Sequence, residues 1–180
     1  MRESSKAALG GIVCALSVVI MLSTYISPLL VYTAPPFAGL LLLLIVNELG
    51  YKWAFGTYAA ISLLSVFVIA DKESAVFFTM FFGYFPILAL WLEKKLKLRF
   101  ICYLVKLLIF NASVILSVFI CFYFFGVSYD DVAEEGVFYT VTYIILMNVF
   151  FFIYDKLIIK MQLLYVIKFQ KRFRKLFRIK

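Results

Sequence analysis

Six apolar runs, broken by short polar stretches, sort the cations of this chain almost entirely to one side. The runs cover about residues 6–26, 37–46, 51–70, 74–91, 100–125 and 137–159. If the first run starts on the inner side of a bilayer and each run crosses once, 17 of the 18 Lys and Arg residues lie inside, and only Lys72 falls outside. The acids divide differently. Asp71, Glu73, Asp130, Asp131, Glu134 and Glu135 are outside, whereas Glu3, Glu48, Glu93 and Asp155 are inside. The inner side carries +13 and the outer side −5, which together make the net charge of +8. A Lys/Arg excess marks cytoplasmic loops. The expected fold is therefore an all-α, multi-pass membrane protein of six transmembrane helices with both termini cytoplasmic. An odd number of crossings would spoil the separation.

Composition agrees with this layout. The chain is 66% hydrophobic with a mean hydropathy of +1.05, which suits a lipid solvent rather than water. A membrane-spanning helix needs roughly 20 apolar residues at about 1.5 Å rise each. Six of them use nearly all of the 180 residues and leave no room for a soluble catalytic domain. There is no Gly-rich phosphate loop and no histidine, which excludes Walker-type ATP hydrolysis and most hydrolytic triads and zinc sites. No enzymatic activity, cofactor or metal is expected. Cys14, Cys102 and Cys121 all fall in apolar runs and read as small core residues, not disulfides. The apolar run after Lys6 reaches about residue 26 without a small-residue cleavage site, so it reads as a retained first helix. The layout divides into a transmembrane domain, 1–160, and a basic tail, 161–180.

The second run is the exception. Residues 37–46 make a helix of only about 15 Å, half of a bilayer core. The preceding stretch, residues 27–36, contains Pro28, Pro35 and Pro36, and proline disfavours helix at and before its own position. A broken apolar segment points to a binding site; a tilted helix with a proline-capped start is the alternative. Tyr32 and Thr33 in this stretch are candidate substrate contacts. The outer halves of the later helices supply Thr79, Tyr84 and Tyr143, whose aromatic and hydroxyl groups suit a small, partly apolar molecule. An interfacial aromatic belt explains them equally.

Polar groups inside the runs carry a cost and need partners. Lys106 lies about six residues into the fifth run, and pairs with Asp155 or Glu93 or else snorkels to the headgroups. Asn111 and Asn148 lie deeper. They either bond to each other across the last two helices or line a pocket, and both are candidate substrate contacts. Ala7, Gly11 and Ala15, spaced by four, make a small-residue stripe that permits close helix approach to a partner or to another helix of this chain. Phe169, Phe173, Leu176 and Phe177 alternate with Lys and Arg at helical spacing. That tail should lie on the anionic inner leaflet rather than on nucleic acid.

Several segments together resemble the substrate-binding S components of bacterial energy-coupling factor (ECF) transporters, in a branch of unassigned substrate. They are the Ala7, Gly11 and Ala15 stripe; Ala34-Pro35-Pro36-Phe37-Ala38-Gly39-Leu40; Asp71-Lys72-Glu73; and Phe82-Gly83-Tyr84-Phe85-Pro86-Ile87-Leu88. Lys106 with Phe110-Asn111, and Asn148 with Tyr154-Asp155, complete the set. The resemblance implies a six-helix fold whose first outer loop, here residues 27–36, closes over a vitamin or related micronutrient. It implies that the stripe on the first helix docks on a transmembrane partner subunit driven by two cytoplasmic ATPases. A six-helix scaffold of the rod-shape-determining type, with no solute site, is the alternative.

Overall fold

The computed structural model describes residues 3–27, 29–96, 98–125 and 136–170. Among these, every regular element is helical. The elements are α1 (Glu3–Leu22), α2 (Leu30–Leu49), α3 (Tyr51–Val68), α4 (Lys72–Phe77), α5 (Phe85–Lys95), α6 (Arg99–Phe125) and α7 (Gly136–Leu164). A π-helix, Phe78–Phe82, joins α4 to α5, so that 72–95 form one pass. Six helical passes result. Four stretches among the described residues are long and apolar enough to cross a membrane: Glu3–Tyr25, Leu30–Leu49, Lys72–Lys95 and Arg99–Ile120. This is compatible with a multi-pass membrane protein.

The second helix corrects the sequence expectation. It runs 20 residues from Leu30 to Leu49, with Pro35 and Pro36 inside it. The 27–36 stretch is therefore helical from Leu30 onward and is not an extended outer loop. The reason lies in where the lost hydrogen bonds fall. The missing N–H groups of Pro35 and Pro36 would have bonded the carbonyls of Val31 and Tyr32, in the first turn. Tyr32 is 49% exposed there, so the defect sits at a helix end rather than in a buried middle. At about 30 Å, α2 can span a bilayer core. It is also the hub of the bundle, packing on α1, α3, α4, α5, α7 and the π-helix. Its buried face, including Ala34, Pro35, Ala38 and Gly39, is small enough to admit neighbours on several sides.

One residue separates α2 from α3. Gly50 has φ +88°, a conformation that L side chains rarely adopt, and its N–H bonds the carbonyls of Ile45 and Val46 at 3.1 Å each. At the far end of α3, Lys72 donates to the carbonyls of Val66 (2.8 Å) and Ile69 (2.9 Å). Lys72 thus caps a helix C-terminus, where a positive charge is favourable.

Cross-helix bonds give the directions. Tyr84 meets Ser113 and Glu93 meets Lys106, so α6 runs antiparallel to the 72–95 pass. Asn111 meets Asn148 and Lys106 meets Asp155, so α7 runs antiparallel to α6. Tyr154 meets Pro36, and Gln162 meets Asn47, so α7 is parallel to α2. The core where these helices converge is aromatic. Phe81, Phe85, Phe110, Phe151 and Tyr154 are all buried, and Phe81 lies 4.4 Å from Phe85 and 4.9 Å from Phe110 between ring centres. Cys14 and Cys102 are free and buried; the Cys121 side chain lies outside the described residues. The last helix passes residue 160 to Leu164 and continues as a π-helical turn, Tyr165–Phe169. The final ten residues of the basic tail, 171–180, lie outside the described residues.

Candidate functional site

A cleft of about 340 Å³ opens between α2, the α4–π segment, α6 and α7. Tyr32 of α2 and Phe77, Phe81 and Phe82 of the α4–π segment form one wall. Phe110, Val114 and Ser117 of α6 face Leu146, Met147 and Phe150 of α7 on the other. α1 contributes nothing to this lining. The described lining has no charged side chain, and Ser117 and Tyr32 supply its hydroxyls. Ser117 donates to the carbonyl of Ser113 at 2.8 Å, which leaves its lone pairs as acceptors.

Local chain chemistry creates the wall that Phe81 and Phe82 present. The N–H of Gly83 bonds the carbonyl of Phe78, five residues back, at 2.7 Å. This register inserts one extra residue into the turn and rotates the side chains that follow. It also withdraws the Gly83 N–H from the carbonyl of Thr79, its partner in an α-helix, and Tyr58 of α3 donates to that carbonyl at 2.6 Å. Pro86 has no N–H, so the carbonyl of Phe82, four residues before it, is likewise released. Tyr154 of α7 donates there at 3.4 Å and to the carbonyl of Pro36 at 3.3 Å. Gly39 makes this junction possible, because a Cβ at Gly39 would collide with the Phe82 carbonyl and lie 3.0 Å from the Tyr154 hydroxyl. Two tyrosines thus satisfy the carbonyls that the π-helix and Pro86 leave open, and they fix Phe82 in the cleft wall. Sequence reasoning did not give Tyr58 or Tyr154 these roles. Pro86 at four residues beyond Phe82 is the signal that predicts an open carbonyl.

The residues expected at the site are placed as follows. Tyr32 lines the cleft. Thr33 is exposed and donates to the Leu29 carbonyl one turn back, at 3.3 Å. Thr79 lies in the π-helix with its hydroxyl buried and unbonded, outside the cleft lining. Tyr84 is committed to Ser113 at 2.6 Å. Asn111 and Asn148 bond each other, at 3.2 Å and 3.4 Å, and each also donates to its own helix, to Leu107 and Ile144. They form a reciprocal clamp between α6 and α7 and do not line the cleft. Tyr143 belongs to α7, but its side chain lies outside the described residues.

Beyond the cleft, the cation of Lys106 bridges Glu93 (2.7 Å) and Asp155 (2.8 Å). Both acids are therefore partners, and α5, α6 and α7 are tied at one point. Lys106 is 2% exposed and Asp155 6%, so neither group snorkels. A second knot lies further along α7. Asn47 and Gln162 exchange two amide bonds of 2.7 Å, and Tyr165 donates to Glu48 at 3.0 Å. Ala7, Gly11 and Ala15 are exposed, and a Cβ on Gly11 would meet nothing within 4 Å. The buried face of α1 is instead Leu9, Gly10, Val13, Cys14, Ser17 and Met21. The stripe is thus free of internal packing. Among the described residues, no group of three or more Cys, Asp or Glu side chains is placed to hold a metal ion. No family model matches the chain, and comparison with characterised proteins and with solved structures finds no match.

Proposed function

We propose that this chain is a non-enzymatic solute-capture subunit of the ECF type. It takes a small molecule from outside the bacterial plasma membrane and docks on a transmembrane partner carrying two cytoplasmic ATPases. The observation that carries this reading is the aromatic cleft between α2, the π-helix, α6 and α7. Tyr32 and Phe77 lie near the starts of α2 and of the 72–95 pass, the side that the cation distribution assigns to the outside, and Phe82, Phe110 and Phe150 carry the cleft to the middle of their passes. The described lining offers aromatic and hydroxyl binding groups, which supports capture of a solute. The exposed face of Ala7, Gly11 and Ala15 supports docking, because small residues unpacked within the chain allow a partner helix to approach closely. Both termini then lie in the cytoplasm.

The test is purification of the tagged full chain from its native membrane in mild detergent. A membrane partner and ATPase subunits should copurify with it. Gly11→Leu should abolish that association while leaving the chain folded, since space around Gly11 is open. Isolation of the chain without any ATPase, or intact assembly in Gly11→Leu, would argue against the docking role.

A further inference from the structure

We infer that the cleft selects a neutral, flat and largely apolar molecule carrying a single hydrogen-bond donor, and rejects charged solutes. This rests on the cleft being the capture site proposed above. The lining decides the class. Its described side chains bring no ionic group, and the nearest fixed cation along α6, Lys106, is already closed by two carboxylates. A carboxylate or phosphate entering here would lose its hydration and find no counter-charge. A molecule rich in hydroxyls or amides would fare little better, because the wall offers few polar partners.

Ring geometry argues for flatness. Phe81 meets Phe82 at 72° and Phe110 at 73°, and Phe82 meets Phe150 at 85°. Six of the ten lining residues are aromatic, and these edge-to-face contacts hold their rings as fixed planes, which suits a planar guest. The same contacts argue against an organic cation, since ring faces already occupied by neighbouring edges are poor cation sites, and phenylalanine is weaker here than tryptophan. The buried polar handle is Ser117, 1% exposed, whereas the other hydroxyl of the lining belongs to Tyr32, 49% exposed. The Ser117 hydrogen is spent on the Ser113 carbonyl, so Ser117 accepts and does not donate. The matching ligand group is an O–H or N–H.

Three probes on one ring system test this: 2-naphthol, 2-naphthoate and 2-naphthyltrimethylammonium. They are titrated calorimetrically against the full chain in lipid nanodiscs, with empty nanodiscs subtracted for partition. Naphthol should bind saturably, one per chain, and both charged probes at least about tenfold more weakly. Ser117→Ala should weaken naphthol about fivefold, the loss expected for one hydrogen bond, and leave unsubstituted naphthalene unchanged. Val114→Trp fills the cleft and should remove binding; Met147→Trp does the same from the opposite helix should the first variant fail to fold.

A charged probe that binds as tightly as naphthol and is lost in the Trp variants overturns the ligand class while leaving the cleft as the capture site. Absence of saturable binding, or binding indifferent to both Trp variants, overturns the class and the capture reading together. Native mass spectrometry separates the sources of such a ligand. A phospholipid held by the wild type, displaced by naphthol and lost in both Trp variants, would support the apolar chemistry and assign the occupant to the bilayer, against solute capture.

Discussion

Tyr58 donates its phenolic hydrogen to the backbone carbonyl of Thr79 at 2.6 Å, across the interface between α3 and the π-helix. That carbonyl is open because Gly83 has shifted its N–H one residue back, to Phe78. A π-turn inside a membrane helix therefore does not leave an orphan. In an apolar surround an unmade backbone bond costs several kcal/mol, so a side chain from a neighbouring helix must arrive with the turn. The turn and its tyrosine are one device, and its product is the placement of Phe81 and Phe82 in the cleft.

Removing the hydroxyl should show this. Tyr58→Phe leaves the Thr79 carbonyl without its partner and should destabilise the protein by about 1–3 kcal/mol. Tyr84→Phe is the comparison. Its partner Ser113 still donates to the Ile109 carbonyl at 2.8 Å, so little is left unsatisfied and the loss should be smaller. Thermal unfolding in detergent, followed by circular dichroism, ranks the two. Equal midpoints would mean the π-turn does not need Tyr58.

The buried cation makes an asymmetric prediction. Glu93 keeps 35% of its side-chain surface exposed, whereas Asp155 keeps 8%. Glu93→Gln should therefore cost little, as exposed pairs do. Lys106→Met strands Asp155 in the core and should cost about 3–5 kcal/mol. Adding Asp155→Asn to Lys106→Met should restore part of that, because the stranded charge is gone. Unfolding midpoints of the single and double variants measure the coupling. Additive effects would show that the pair carries no interaction.

Much of this bundle is legible in the sequence, and the failures have local causes. The apolar runs give the six helical passes, because a run of that length in lipid satisfies its own backbone as a helix unless it closes into a barrel. Asn111 and Asn148 at matching depth, and Lys106 with its acids, are found because polar groups in such runs must find one another. The second helix is misjudged because proline rules are written for helix interiors, and the start at Leu30 moves the defect into the first turn. Tyr58 and Tyr154 escape notice for a different reason. Among 12 tyrosines in a membrane chain, nothing in residue type separates a carbonyl partner from an interfacial anchor; only the open carbonyl across the interface does so. The knot of Asn47 with Gln162 is lost because the sixth run, judged by hydropathy, stops at about residue 159, five residues short of the end of α7.

Glycine substitutions separate packing from docking. Gly39→Ala places a methyl group on the Phe82 carbonyl, which belongs to the π-helix and cannot retreat without disturbing Tyr154. Overpacking of this kind costs about 1–3 kcal/mol. Gly11→Ala and Gly56→Ala meet nothing within 4 Å and should not lower the unfolding midpoint. A Gly39→Ala protein as stable as the wild type would require α2 to stand further from the π-helix than it does.

The asparagine clamp closes the case for which polar groups serve the fold and which serve the ligand. Asn111 and Asn148 are each satisfied twice, once by the other and once by their own helix. A double-mutant cycle with Asn111→Leu and Asn148→Leu should return a coupling of about 0.5–1.5 kcal/mol, the usual size for polar contacts between membrane helices. Naphthol affinity in Asn111→Leu should stay within about twofold of wild type, because Phe110, Val114 and Ser117 present the ligand-facing side of α6 and Asn111 does not. A loss of tenfold or more, without a matching loss of stability, would put the Asn111 amide in the binding site and take Ser117 out of its role as the handle.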